Sequence, residues 1–192
     1  MPTVDERSAW GCGYAGLMTP KNGTTTMKRT TSLHATKNPL PLDSREKLVE
    51  LLNSRLASAI DLQLQAKHAH WNVKGPNFIG LHELFDKVAS TVVGAVDELA
   101  ERSAQLGGSP QGTLQGVASN TKLRPYPATI TNGSDHVEAL GHALAAFATQ
   151  VREGIEIADE CGDPATADLL TAMAEEIEKQ LWFVEAHQQA KS

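Results

Sequence analysis

Apolar residues fall at spacings of three and four from Leu48 onward, so that Leu48, Leu51, Leu52, Leu56 and Ile60 share one helical face. Asp43 or Ser44 offers a cap at its entrance, with Glu46 near the third position. This first helix is expected to run to about Trp71, where Gly75-Pro76 breaks the pattern. A second helix starts near Asn77 and carries Leu81, Leu84, Phe85, Val88, Val92, Val96 and Leu99. Gly107-Gly108 ends it, since glycine readily takes the left-handed conformation of a helix terminus. Residues 109–133 form a long connection with two prolines flanking Tyr126 and a short helix expected at 112–118. That length suits a crossover better than a tight hairpin. A third helix follows Ser134, with Val137, Leu140, Leu144, Phe147, Val151 and Ile155 on one side, and stops at Gly162. Asp163-Pro164 opens a fourth, aspartate as cap and proline in the first turn, carrying Leu169, Leu170, Met173, Ile177, Leu181 and Val184.

Four long helices with one long crossover predict an all-α chain. The topology expected is a ferritin-like four-helix bundle with a short crossover helix between helices two and three. Other four-helix topologies fit the same periodicity. The bundle takes residues 42–192. Residues 1–41, rich in Thr, Gly, Pro and Lys without any period, read as a flexible, mildly basic arm. Its five basic residues, Arg7, Lys21, Lys28, Arg29 and Lys37, stand against Asp5 and Glu6, a net +3 that leaves −9 for the body of a chain of net charge −6. Such an acidic body argues against a uniformly basic nucleic-acid binder, while the arm keeps a local basic contact open.

Hydrophobic residues at 41% and charged residues at 21% are ordinary for a soluble globular protein. No apolar run approaches the roughly 18–20 residues of a membrane span. Cys12 and Cys161 cannot build a disulfide framework and read as free thiols. Glycines at 11, 13 and 16 interrupt any secretory h-region, and a cytoplasmic location is expected. Met27 heads Met-Lys-Arg-Thr-Thr, which itself reads as a start.

Candidate chemistry concentrates in residues 67–102. His70 closes helix one. Helix two carries His82 and Asp86 at i, i+4, then Asp97 and Glu101 at i, i+4. At about 100° per residue, Asp86 and Asp97 lie only about 20° apart around the axis, so all four share one stripe. Carboxylate with imidazole suits iron, zinc or manganese. Either pair alone is more commonly surface charge. The two pairs are centred about 22 Å apart along the helix, too far to share one ion within one chain. If two copies of helix two cross antiparallel about a two-fold axis, the His82/Asp86 half of one meets the Asp97/Glu101 half of the other. A site inside a single bundle would need Glu-x-x-His on two helices, and the chain contains none.

Three segments, His68-Ala69-His70-Trp71-Asn72-Val73-Lys74-Gly75-Pro76-Asn77-Phe78, Leu81-His82-Glu83-Leu84-Phe85-Asp86 and Asp97-Glu98-Leu99-Ala100-Glu101-Arg102, together resemble the signature of the Dps family of mini-ferritins. The resemblance covers about residues 44–190. It implies a hollow homo-dodecamer with ferroxidase sites at two-fold interfaces. His70, His82 and Asp86 of one chain, with Asp97 and Glu101 of its neighbour, would hold iron there, with room for two ions. Fe(II) would be oxidised by hydrogen peroxide or dioxygen and stored as ferric mineral, protecting DNA. Lys67, Trp71 and Trp182 match residues near the site in relatives. Asp163 and Asp168 match the region of carboxylate-lined pores, although Asp163 also fits a helix cap. DNA is a partner implied through the arm, with nucleoid association. Analogy with other arms would make His34 a further metal ligand, although a histidine of an unstructured arm is the commoner reading. His68, about 200° around the helix from His70, falls outside the site.

Overall fold

The computed structural model describes residues 33–189. Among the described residues five helices follow one another: α1 (Leu42–Asn72), α2 (Phe78–Gln105), α3 (Leu114–Asn120), α4 (Gly133–Glu160) and α5 (Pro164–Gln189). The four long ones form the ferritin-like bundle. α1 packs on α2 and α4 on α5 as two hairpins, which join where α1 meets α4 and α2 meets α5; α3 lies against α1. The apolar stripes read from the sequence turn inward. Phe85, Leu99, Leu140, Leu144, Phe147 and Ile177 are among the side chains with no exposed surface.

Turn chemistry sets the hairpins. Gly75, Gly107 and Gly162 take positive φ of 113°, 90° and 72°, ending α1, α2 and α4 as expected. The crossover is laid along α1: Gln111 N–H donates to Asn53 Oδ1, Thr121 Oγ1 to Asp61 Oδ2, Gln65 Nε2 to the Arg124 carbonyl, and Lys74 N–H to the Thr131 carbonyl. The short helix sits two residues later than expected because Thr113 caps it, accepting from Gly116 N–H.

Two further details differ from the sequence reading. α1 begins at Leu42 with Pro41 at the cap position and no side-chain cap, so neither Asp43 nor Ser44 serves. Pro41 holds φ −54° and ψ 147° and hands its carbonyl to Arg45 N–H; the fixed ring sets the entrance where a polar cap was expected. Residues 33–41, the described part of the predicted arm, also lie against the bundle. Leu33 and Leu40 pack on the core, His34 N–H donates to the Gly107 carbonyl at 2.7 Å, and the Arg45 guanidinium donates to the carbonyls of Leu40 and Leu106. Arg7, Lys21, Lys28, Arg29 and Cys12 lie outside the described residues.

This segment rests on Gly107. A Cβ there would stand 2.8 Å from the His34 carbonyl oxygen, on a backbone already at positive φ. Gly107→Ala is therefore expected to cost about 1–3 kcal/mol. Faster hydrogen exchange at the His34 amide, with α1 and α5 unchanged, is the measurement that checks it.

Candidate functional site

The α1–α2 turn brings the end of one helix beside the start of the next, and with it two imidazoles. The rings of His70 and His82 stack with centroids 3.7 Å apart and planes 21° from parallel. Each is locked by the other's backbone: His70 Nδ1–H donates to the His82 carbonyl at 2.7 Å, and His82 Nδ1–H donates to the His70 carbonyl at 2.8 Å. With Nδ1 of each ring engaged as a donor, Nε2 is the atom each imidazole can offer a metal. Sequence spacing did not reveal this exchange, because it depends on helix ends twelve residues apart coming level.

One turn further along α2, Asp86 accepts a hydrogen bond from Lys67 Nζ at 2.6 Å. That bond holds the Asp86 carboxyl below the usual aspartate range, an effect to which Lys67, His70 and His82 add by charge while partial desolvation opposes it. Lys67 also stands 5.7 Å from the centre of the Trp71 ring, which is 67% exposed. Trp182 is exposed as well and leans on Phe183 with centroids 5.0 Å apart. His70, His82, Asp86 and Lys67 are thus together.

Asp97 and Glu101 are not among them. Both lie exposed toward the far end of α2, about 22 Å away along the axis from the midpoint of the first pair. Among the described residues no three His, Cys, Asp or Glu side chains of one chain converge on a common point. Ile79, His82, Asp86, Ser90, Val93, Asp97 and Glu101 follow one another at steps of three or four along a single line of α2. Ile79 and Val93, between and beside the polar pairs, are 61% and 48% exposed. A Cβ added at the neighbouring Gly80 or Gly94 would touch nothing within the chain.

Asp163 answers to its helix. Its carboxylate accepts from Arg102 Nη2 through both oxygens, at 2.8 and 2.7 Å, and from the backbone N–H and hydroxyl of Thr166. It is 3% exposed. Burial pushes its carboxyl up, but the hydrogen bonds from Thr166 and Arg102 outweigh that and hold it below the ordinary aspartate value. These contacts make it the cap of α5, with both oxygens engaged; Asp168 is exposed one turn later. His34 meets Ser109 Oγ at 3.1 Å through Nε2. His68 faces away from the His70–His82 stack and packs edge-on to Tyr126.

Sequence reasoning missed a second cluster there. Tyr126 Oη lies 2.9 Å from His136 Nδ1. His136 has no exposed surface, and the Nε2 atoms of both His68 and His136 are buried without a hydrogen-bond partner. The only available signal was Pro125-Tyr126-Pro127, two prolines that fix an extended backbone around one aromatic residue.

The family model described as a ferritin-like domain matches residues 49–191. The "DNA protection during starvation protein" of Agrobacterium fabrum is 47% identical over 83% of this chain and 98% of its own length. Among solved structures, the Mycobacterium smegmatis Dps tetragonal form aligns with a TM-score of 0.78 at 37% identity, covering 81% of this chain and 95% of that one. DpsA14 from Streptomyces coelicolor aligns with a TM-score of 0.80 at 34% identity, covering 84% and 95%.

Proposed function

The chain belongs to the Dps family of ferritin-like proteins, and from that premise we propose that it oxidises Fe(II) at sites shared between two copies and retains the ferric product inside a hollow dodecamer. The observation that carries this reading is the single line on α2. It holds two metal-competent pairs too far apart to cooperate within one chain, joined by exposed apolar residues that need cover. Antiparallel contact of this line with its own copy covers Ile79 and Val93 and brings Asp97 and Glu101 to His82 and Asp86, twice per dimer.

Fe(II) is the substrate. Stacked imidazoles presenting Nε2 accept either oxidation state, and three carboxylates favour the harder Fe(III). The residues present fit the ion. Lys67, bound to Asp86, holds that carboxylate ionised and in place until a cation displaces it. Two Fe(II) deliver two electrons together, so hydrogen peroxide is reduced to water without release of hydroxyl radical; dioxygen is the slower alternative. Anaerobic Fe(II) addition followed by peroxide tests the reading through ferric absorbance and iron retained per shell. Ferric iron formed no faster than in protein-free buffer, with nothing retained, would overturn it.

DNA binding is a second activity, suggested by the Agrobacterium relative's name and the basic arm. Twelve weak arms on one shell act by avidity. Gel shifts are expected at low salt, to weaken steeply toward physiological salt, and to vanish when residues 1–32 are deleted. That truncation leaves Leu33 and the contacts of His34 with Gly107 in place.

A further inference from the structure

The His68–Tyr126–His136 cluster sits one layer of rings behind the metal-competent end of α1 and α2. His68 is two residues from His70 on α1. It meets the Tyr126 ring edge-on at 5.4 Å between centroids. On the other side Tyr126 stacks on His136 at 6.0 Å, and His136 faces Phe85, the residue before Asp86, at 6.3 Å. Aromatic rings thus connect Tyr126 to both helices of the site.

A phenol inside protein gives up an electron easily only if its proton leaves at the same moment, because the protonated radical is a very strong acid. The proton needs a neutral acceptor already hydrogen-bonded to the hydroxyl. In the tautomer that carries its ring proton on Nε2, His136 Nδ1, 2.9 Å from Tyr126 Oη, supplies one. Burial, with the neighbouring His68, pushes the His136 imidazole below its ordinary value and keeps it neutral, while burial pushes the Tyr126 phenol up and keeps it protonated.

We propose that Tyr126 is a one-electron donor to the iron site, with His136 as its proton acceptor. When peroxide meets a site holding one Fe(II), one electron comes from the iron, the O–O bond breaks, and hydroxide and hydroxyl radical result. The radical takes its electron from Tyr126 through the intervening rings and becomes a second hydroxide. The Oη–H bond breaks as the electron leaves, and the proton passes to His136 Nδ1. The next Fe(II) to arrive is oxidised as it returns the electron, and His136 returns the proton. The sum is two Fe(II) oxidised per peroxide, the same as for a paired site.

The donor property is tested without iron, on the intact shell, by flash-generated ruthenium(III) tris-bipyridyl with persulfate, read by optical and high-field EPR spectroscopy. The chain has two tyrosines, Tyr14 and Tyr126, so assignment is direct. A hydrogen-bonded tyrosyl radical is expected in the parent and in Tyr14→Phe, and is expected to be lost in Tyr126→Phe, which removes only a hydroxyl. Its formation in the parent should slow in deuterium oxide. In folded His136→Phe shells it should slow by about a hundredfold, the worth of a positioned proton acceptor. A tyrosyl signal unchanged in Tyr126→Phe, or absent from every form, overturns the proposal. The iron arm, substoichiometric Fe(II) plus peroxide, rests on the iron-oxidation reading. A radical by flash but no iron oxidation at all sinks that reading and the link to iron, leaving Tyr126 as a donor only.

Discussion

Shells assembled from two inactive variants are expected to recover iron oxidation. One variant carries His82→Ala with Asp86→Ala, the other Asp97→Ala with Glu101→Ala. Alone, each lacks half of every site and should lose the fast phase of ferric formation. In a mixed two-fold dimer, one site receives both damaged halves. The other receives Asp97 and Glu101 from the first variant and His82 and Asp86 from the second, so it is complete. Random pairing makes about half the dimers mixed and restores about a quarter of all sites. Co-expression with two affinity tags, tandem purification and stopped-flow ferric absorbance give the readout. Confirmed mixed shells no faster than either parent would show that ligands from the two halves do not meet across an interface.

Asp163→Ala is expected to be the most damaging single change outside the hydrophobic core. It strands Arg102, whose side chain is only 13% exposed, as an uncompensated charge and removes the cap of α5. Breaking one partner from a buried pair costs about 3–5 kcal/mol. Replacing both, Arg102→Met with Asp163→Ala, should recover most of the loss, because no lone charge remains. Urea unfolding followed by circular dichroism separates the cases. The pH dependence has a definite sign. The Asp163 carboxyl lies lower folded than unfolded, so its contribution is fully present above the ordinary aspartate value of 3.8 and disappears as pH falls from there through its own lower value. Asp163→Asn should flatten that acid limb. If Asp163 instead lined a pore, the substitution would alter iron entry and leave stability nearly untouched.

Asp163 also shows where sequence reading stops. Proline beside it announced a helix start, but pore carboxylate and cap carboxylate look alike in one dimension. The contact with Arg102, 61 residues away, is what shows the cap, and no local pattern announces it. The long helices were legible because their apolar spacing is itself the physical cause of their packing. Their glycine ends were legible because few other residues tolerate positive φ. The entrance of α1 was misread because Pro41 orders it through its ring, where a polar residue was expected. Residues 33–41 escaped because backbone groups and one arginine hold them, and neither leaves a period. At the site, residue types and helical angle placed His82 and Asp86 correctly on one line with Asp97 and Glu101. The mutual carbonyl clasp of His70 and His82, and the Tyr126–His136 pair, were invisible because they join separate segments.

The crossover laid along α1 bears on how the bundle assembles. α1–α2 and α4–α5 are each neighbours in sequence, so each hairpin can form quickly from local encounters. The contacts of α1 with α4 and of α2 with α5 must wait for closure of a long loop, whose entropy is lost before those contacts repay it. The ties at Asn53, Asp61, Gln65 and Lys74 divide that closure into short steps, each fastening the chain nearer to where α4 begins. Folding would then proceed as a zipper along α1, with docking of the second hairpin as its last and slowest event.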